Sequence, residues 1–177
     1  MIKLNLGCGS TPFENFINID IRNLPSVDVV DDVGKLTKFK SNSVDAIYAC
    51  HVLEHFGRHQ YMKVLERWYS ILKDEGILRI SVPDIGEVCN QYSKGMSFKK
   101  LVGFLYGGQT YKENYHYIGF DFESLESDLK SVGFKAVYKW DWRKTEHSHI
   151  DDFSQAYLPH MDKENGILMS LNVESKK

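Results

Sequence analysis

LNLGCGSTPFENFINIDI (residues 4–21) contains two strand patterns joined by a glycine turn. Leu4 and Leu6 alternate with polar residues and run into the turn, which is typical of a strand that ends abruptly. The apolar residues of FINIDI (16–21) predict a second strand after a connection that leaves room for hardly one helical turn. The carboxyl ends of two neighbouring strands therefore hold the glycine turn and an acidic residue, Asp20.

The rest of the chain alternates strand and helix patterns. Apolar residues at helical spacing predict helices over residues 58–73 and from the N-cap Asp121 to Gly133. The further predicted strands are VDVV (27–30), VDAIYAC (44–50), ILRISVP (77–83), FKAVYKW (134–140) and ILMSLNV (167–173). The apolar run VDAIYAC is typical of a central parallel strand covered on both faces. The last two strands, with no clear helix between them, are expected to pair antiparallel at one edge.

These elements indicate an α/β fold, a doubly wound Rossmann-like sheet of seven mostly parallel strands with an antiparallel edge strand. No linker or repeat interrupts the pattern, so we expect a single domain over residues 1–177. Residues 84–120, which contain several glycines and tyrosines, are harder to assign. We expect them to form a lid or insert over the strand ends, where ligands of such sheets bind.

The composition excludes several classes of protein. A chain of 177 residues with 42% hydrophobic content can build a core without disulfides or structural zinc. The net charge is -2 and the basic residues are scattered, which disfavours a nucleic-acid partner. No apolar run reaches the roughly 18 residues of a membrane span, and the N-terminus does not resemble a signal peptide. The three cysteines form no C-x-x-C pair, so we expect a cytoplasmic protein with reduced thiols and no membrane partner.

The glycine turn and the acidic residues after it favour a nucleoside site. A turn without a Cβ allows the backbone to approach a ligand, although a tight turn with no ligand fits the same pattern. A dinucleotide site is disfavoured, because Pro12 stands where the third glycine of the fingerprint belongs. Asp20 can accept hydrogen bonds from a ribose diol, and Asp31 and Asp32 from an adenine amine. Alternatively, these acids are solvated loop residues or helix caps.

The quoted segment is followed by DVVDDV (28–33), SVDAIYACHVLEHF (43–56) and LKDEGILRISVPD (72–84). This set resembles the class I S-adenosylmethionine-dependent methyltransferases, and more narrowly a small subgroup often associated with polysaccharide biosynthesis. The resemblance implies S-adenosylmethionine as cofactor and S-adenosylhomocysteine as product. It also implies a cofactor site built from Gly7, Cys8, Gly9, Asp20, Ile21, Asp32, Val33, Cys50 and His51.

The chain departs from the wider superfamily at three places. Asn5 stands where an acidic residue is common, and Thr11 stands where a third glycine is common. The first helix is also abbreviated. These departures leave open how tightly the cofactor binds.

The histidines are candidates both for metal ligands and for catalytic bases. HVLEH (51–55) matches H-x-x-E-H, but the motif follows directly on a strand, and a short helix there is expected to splay the two imidazoles. His147 and His149 are interpreted as part of a polar loop, so no metal is predicted. If the acceptor needs a general base, His116 is the first candidate, with His51 and Glu54 in reserve. Each of them could instead only hydrogen-bond within the fold.

The residues and the resemblance together predict methyl transfer to a small acceptor, such as a sugar or a sugar-linked group. Tyr111, Tyr115 and Tyr117 would stack on a sugar face or build the core of the lid. Two other classes stay open at this point, a non-catalytic cofactor-binding module and an NAD-dependent oxidoreductase. The sequence does not specify an oligomeric state.

Overall fold

The computed structural model describes residues 1–177 and contains a seven-stranded sheet of order β3-β2-β1-β4-β5-β9-β6. Its strands are β1 (Lys3–Leu6), β2 (Ile17–Asp20), β3 (Val29–Val30), β4 (Val44–Cys50), β5 (Leu72–Pro83), β6 (Ala136–Lys139) and β9 (Ser170–Lys176). Two short strands, β7 (Tyr157–Leu158) and β8 (Ile167–Leu168), form a separate hairpin. The helices are α1 (Tyr61–Ile71), α2 (Ile85–Ser93), α3 (Phe98–Tyr106) and α4 (Phe122–Val132). No helix is both long and apolar enough to cross a membrane.

The predicted sheet is confirmed, including its antiparallel pair at one edge. Strand β9 runs against both of its neighbours, β5 and β6, and β6 is the outermost strand. Strand β4 has the predicted bounds, and α4 begins after Asp121 with a capping box to Ser124 and ends at Gly133. Residues 84–120, left unassigned by the sequence pattern, contain α2 and α3.

Two predicted strands differ from the structure by more than one or two residues at an end. The segment ILMSLNV (167–173) is not one strand, because it is interrupted at Met169. Its first part pairs with Tyr157–Leu158 and its second part begins β9. Strand β5 begins at Leu72 rather than at Ile77, because Val44 already pairs with Leu72 before a register shift in the ladder.

The connection between β1 and β2 contains turns and no helix. Asparagine amides replace the missing helix: Asn5 Nδ2 donates to Asn18 Oδ1 at 3.0 Å and to the Thr11 carbonyl at 3.2 Å. Asn18 Oδ1 also accepts from the Phe13 amide at 2.8 Å. Two of the departures from the superfamily pattern, at Asn5 and Thr11, therefore belong to the contacts that hold this loop.

The two faces of the sheet differ in polarity, because side chains alternate along each strand. One face carries buried apolar residues and packs on α1 and α4, with Trp68 fully buried among them. The other face carries hydrogen-bonded polar pairs such as Ser81 with Asn172. Residues 140–158 cover it, through contacts such as the 2.6 Å hydrogen bond from Tyr48 Oη to Asp152.

His147 lies in this second layer and packs against the rings of Phe13 and Tyr48, whose centroids are both 4.6 Å from the centroid of its imidazole. It is 4% exposed, and neither ring nitrogen has a hydrogen-bond partner. Burial is the main reason that the pKa of His147 falls from 6.5 to about 4. The imidazole is therefore neutral in the folded protein at neutral pH.

We predict that His147 makes the fold acid-sensitive. The contribution of neutral His147 to the free energy of unfolding is complete above pH 6.5 and is lost as the pH falls from 6.5 towards 4. The loss amounts to roughly 3 kcal/mol, because only the unfolded chain readily binds the proton over this range. Urea denaturation of wild type and His147→Phe at pH 7.5 and pH 4.5 measures this. The loss of stability on acidification should be smaller in the variant, and an equal loss in both proteins would contradict the assignment.

Candidate active site

A cleft of about 640 Å³ opens at the carboxyl ends of β1, β2 and β4. This volume is in the range of small-molecule sites. Six residues that the resemblance implied for the cofactor line it, namely Gly7, Asp20, Ile21, Asp32, Val33 and His51. The cleft therefore gathers residues from several successive strand ends.

Three implied cofactor residues do not line the cleft. Cys8 is buried, and burial is the main cause that raises the pKa of its thiol to about 11. Gly9 contributes its backbone N–H to the Asp20 carboxylate at 2.9 Å. The thiol of Cys50 lies towards Tyr48 and Asp152, and burial raises its pKa. Cys50 thus faces the polar layer of the sheet rather than the cleft.

Gly7 has a φ of +62°, a conformation that side chains with a Cβ rarely adopt. A Cβ atom on Gly7 would lie 2.5 Å from Cγ2 of Val52. Val52 follows the end of β4 and also lines the cleft. The glycine is therefore required both by the backbone and by the close approach of β4.

The Asp20 carboxylate is almost completely buried and holds the ends of β1 and β2 together. It accepts from the amides of Gly9 and Arg22, both at 2.9 Å, and from Arg22 Nε at 3.1 Å. Burial alone would raise the pKa of Asp20, but the hydrogen bonds from Arg22 and Gly9 outweigh it and lower the pKa. Asp20 is therefore an ionised acceptor at neutral pH.

Arg22 is a cleft residue that the sequence pattern did not identify. Its guanidinium lies 4.7 Å from the ring centroid of Tyr111, a residue in the loop after α3. The same guanidinium bonds to Asp20, so Arg22 connects the floor of the cleft to residues 107–117. The only sequence signal was a basic residue two positions after the strand-end acid.

Of the two acids after β3, only Asp32 lines the cleft. Asp32 Oδ1 accepts from the Gly34 amide at 2.9 Å, and Oδ2 lies 2.9 Å from Lys35 Nζ. Asp31 accepts from the Asp32 amide, and its second oxygen is buried without a partner. Asp32 is thus the acid available to a ligand.

Three histidines and one carboxylate meet beside the cleft. His51, which has a φ of +52°, turns the chain from β4 into a short 3-10 helix (Leu53–His55). Its Nδ1 lies 3.2 Å from Glu54 Oε1, and Nε2 of His116 lies 3.9 Å from the same oxygen. The rings of His55 and His116 are 5.0 Å apart. His51 and His55 line the cleft, whereas Glu54 and His116 do not.

Burial favours the uncharged forms of all four groups. It raises the pKa of Glu54 to about 8 and, together with His116 and His55, lowers the pKa of His51 to about 3. Burial is also the main cause of the lowered pKa values of His55 and His116.

The prediction that the two imidazoles splay apart rests on HVLEH (51–55) alone and includes no residue from outside this motif. The motif does follow a strand and form a short helix, as predicted. His116 then joins it from the segment after α3, an approach that the local spacing could not show. His147 and His149 form no comparable cluster, since the only group of three ligand atoms close together contains Glu54, His55 and His116.

The loop over residues 107–117 closes one side of the cleft. Tyr111 and Tyr117 line it, while the carbonyl of Tyr115 bonds to His55 Nδ1 at 3.0 Å. The Tyr117 amide donates to the Glu54 carbonyl at 2.8 Å, which fixes the loop on the 3-10 helix. The predicted lid therefore includes residues that line the cleft.

We predict that Gly7→Ala destabilises the protein by roughly 2 kcal/mol or more, because the residue would be strained and would press on Val52. Gly103→Ala is the matched control, since a Cβ on Gly103 in α3 meets no atom within 4 Å. That control should stabilise the protein by about 0.5–1 kcal/mol. Urea denaturation measures both changes, and a neutral Gly7→Ala would show that Val52 moves away freely.

Comparison with known proteins agrees with this architecture. Residues 8–80 match the model of a family described as a methyltransferase domain. A search of curated proteins found no match. Three similar solved structures are methyltransferases, and they show the same fold.

A methyltransferase from Archaeoglobus fulgidus is 16% identical, with 99% of this chain and 85% of that chain covered and a TM-score of 0.60. A methyltransferase from Thermotoga maritima is 14% identical, with 99% of this chain and 82% of that chain covered and a TM-score of 0.64. The third structure is the 1,6-didemethyltoxoflavin-N1-methyltransferase of Burkholderia thailandensis, solved with 1,6-didemethyltoxoflavin and S-adenosylhomocysteine. It is 16% identical, with 99% of this chain and 70% of that chain covered and a TM-score of 0.62.

The strand order and the position of the cleft define the class I methyltransferase fold. Together with the match of residues 8–80 to a methyltransferase domain, they support a class I S-adenosylmethionine-dependent methyltransferase. This assignment disfavours the NAD-dependent oxidoreductase considered above.

Proposed function

We propose that the chain binds S-adenosylmethionine in the cleft and transfers its methyl group to a small acceptor, for which a sugar or a sugar-linked hydroxyl or carboxyl group is the favoured class. The observation that carries the proposal is the juxtaposition of Gly7, Asp20 and Asp32 along one cleft. These residues stand at successive strand ends and match the parts of an adenosyl ligand. Gly7 leaves room for the ligand, Asp20 can accept hydrogen bonds from the ribose, and Asp32 can accept them from the adenine amine.

The shape and charge of the cleft support this cofactor. The missing Cβ of Gly7 leaves the backbone open, and the ionised Asp20 has the acceptor atoms that a ribose diol needs. Ile21 lies beside Asp20 at the end proposed for the ribose, and Val33 lies beside Asp32 at the end proposed for adenine. The three implied residues outside the cleft would support this site indirectly. Gly9 would hold Asp20 through its backbone N–H, and Cys8 and Cys50 would pack beneath the strand ends.

S-adenosylmethionine supplies a methyl group on a sulfonium, an excellent leaving group. The protein then has to align the acceptor and exclude water. Among the candidate bases His116, His51 and Glu54, His51 is the one that lines the cleft. Tyr111 and Tyr117 offer ring faces for a sugar.

Calorimetric titration with S-adenosylmethionine, S-adenosylhomocysteine and NAD tests the cofactor. We expect both adenosyl ligands to bind and NAD not to bind. Release of S-adenosylhomocysteine in the presence of sugars, nucleotide sugars and other small acceptors then tests the activity. Binding without turnover on any of them would favour the non-catalytic module.

We predict that Asp20→Asn weakens adenosyl binding roughly tenfold to a hundredfold, because a hydrogen bond to a charged group contributes about 1.5–3 kcal/mol. Asp45→Asn is the matched control. Asp45 is the second residue of β4, lies at the opposite end of the sheet and is paired with Lys73. Titration of both variants measures the effect, and an unchanged affinity in Asp20→Asn would refute the ribose assignment.

We further predict that Arg22→Met binds adenosyl ligands several-fold more tightly. The Arg22 guanidinium bonds to the carboxylate that the ribose would use, so cofactor and Arg22 compete for Asp20. The same titration distinguishes the alternatives, because weaker binding would mean that Arg22 contacts the cofactor instead of competing with it.

A further inference from the structure

Glu54 is in an unusual environment for a carboxyl group. It is 0% exposed, and neither of its oxygens has a hydrogen-bond partner. Leaving a buried polar group unpaired costs about 1–3 kcal/mol, and an unpaired charge costs more. The groups around Glu54 are three imidazoles, and no Lys or Arg is paired with it. The Glu54 carboxyl group is therefore buried without a hydrogen bond and without a paired cationic side chain.

The imidazoles are oriented as metal ligands commonly are. Nδ1 of His55 faces the Tyr115 carbonyl at 3.0 Å, and Nδ1 of His116 faces the Phe104 carbonyl at 2.9 Å. A carbonyl acceptor fixes the proton on Nδ1 and leaves Nε2 as a lone-pair donor. Both rings are thus held with the nitrogen that can bind a cation free of side-chain partners.

We infer that Glu54, His55 and His116 form a binding site for a divalent transition-metal ion. One ligand atom from each of the three lies within 4.8 Å of the others. Two imidazole nitrogens and one carboxylate suit Zn²⁺, Mn²⁺, Fe²⁺ or Co²⁺, whereas Mg²⁺ and Ca²⁺ prefer sites built mainly from oxygen. A bound ion would supply the positive charge that Glu54 lacks.

Binding needs a local adjustment of the side chains. In a tetrahedral site, metal–ligand distances of about 2.0–2.2 Å place the ligand atoms roughly 3.3–3.6 Å apart, so atoms that now lie within 4.8 Å of one another must draw together by about an ångström. His51 holds the cluster from the side, through Nδ1 near Glu54 and Nε2 bonded to Ser170 Oγ at 2.8 Å. Three protein ligands leave coordination positions open, as in catalytic sites.

The position of the site also indicates a use for the ion, and this step rests on the proposed function. His55 lines the cleft, so an open coordination position can accept the oxygen of a hydroxyl or carboxyl acceptor. A divalent cation lowers the pKa of a bound hydroxyl. The proton passes to solvent, the oxygen forms a bond to the methyl carbon, and the electron pair of the carbon–sulfur bond stays on sulfur.

Co²⁺ is the probe that tests the site without an activity assay. Untagged protein is treated with a chelator, dialysed and titrated with CoCl₂, while the visible absorption and the Tm are followed. We expect one Co²⁺ per chain, with d–d bands typical of nitrogen and oxygen ligands and a rise in Tm. His116→Gln and Glu54→Gln should each lose the bands and the rise in Tm.

His59→Gln is the matched control, since His59 is exposed and lies on the same stretch of chain, outside the cluster. It should bind Co²⁺ as the wild type does. Absence of the bands in wild type, or bands retained in both cluster variants, would overturn the proposal. A wild type without bands and a more stable Glu54→Gln would indicate a neutral buried carboxyl group instead.

Titration of the same samples with S-adenosylhomocysteine separates this proposal from the previous one. Normal adenosyl binding without Co²⁺ binding would reject the metal site alone. Co²⁺ binding without adenosyl binding would retain the metal site and reject the cofactor assignment.

Discussion

The end of the sheet that carries the cleft depends on a buried pair of side-chain amides, Asn5 and Asn18. The pair joins β1 to β2, and Asn18 also bonds to the Phe13 amide in the loop and to Asp28 before β3. Parallel strands are usually connected by a helix, but here side chains from the strands themselves satisfy the backbone of the loop. The position of the glycine turn, and with it the contact between Gly9 and Asp20, follows from this network.

The sequence predicted those parts of the molecule that depend on local pattern. The alternation in β1, the apolar run of β4 and the cap at Asp121 each reflect contacts within a few residues, and the structure confirms them. The strand-end acid Asp20 was predictable for the same reason. The break at Met169 was not, because only the pairing of Tyr157 with Leu168 diverts the preceding residues into another sheet.

The missed site residues depend on distant contacts. Arg22 gains its place from both Asp20 and Tyr111, and no local spacing connects it to the loop after α3. The sequence pattern places His116 in the lid, but its proximity to Glu54 requires α3 to bring the chain back across the 3-10 helix. A motif of two histidines and a glutamate could therefore be read from the sequence only as an incomplete site.

The two ends of the cleft come from different parts of the chain. The family match over residues 8–80 includes Asp20, Asp32 and Glu54, and ends before α2 begins. The loop over residues 107–117 lies outside the match, yet it supplies Tyr111, Tyr117 and His116. The loop is attached to the core through Glu54 and Arg22, so two separate parts of the chain build the cleft. The buried Glu54 is the point at which the loop meets the end of the sheet.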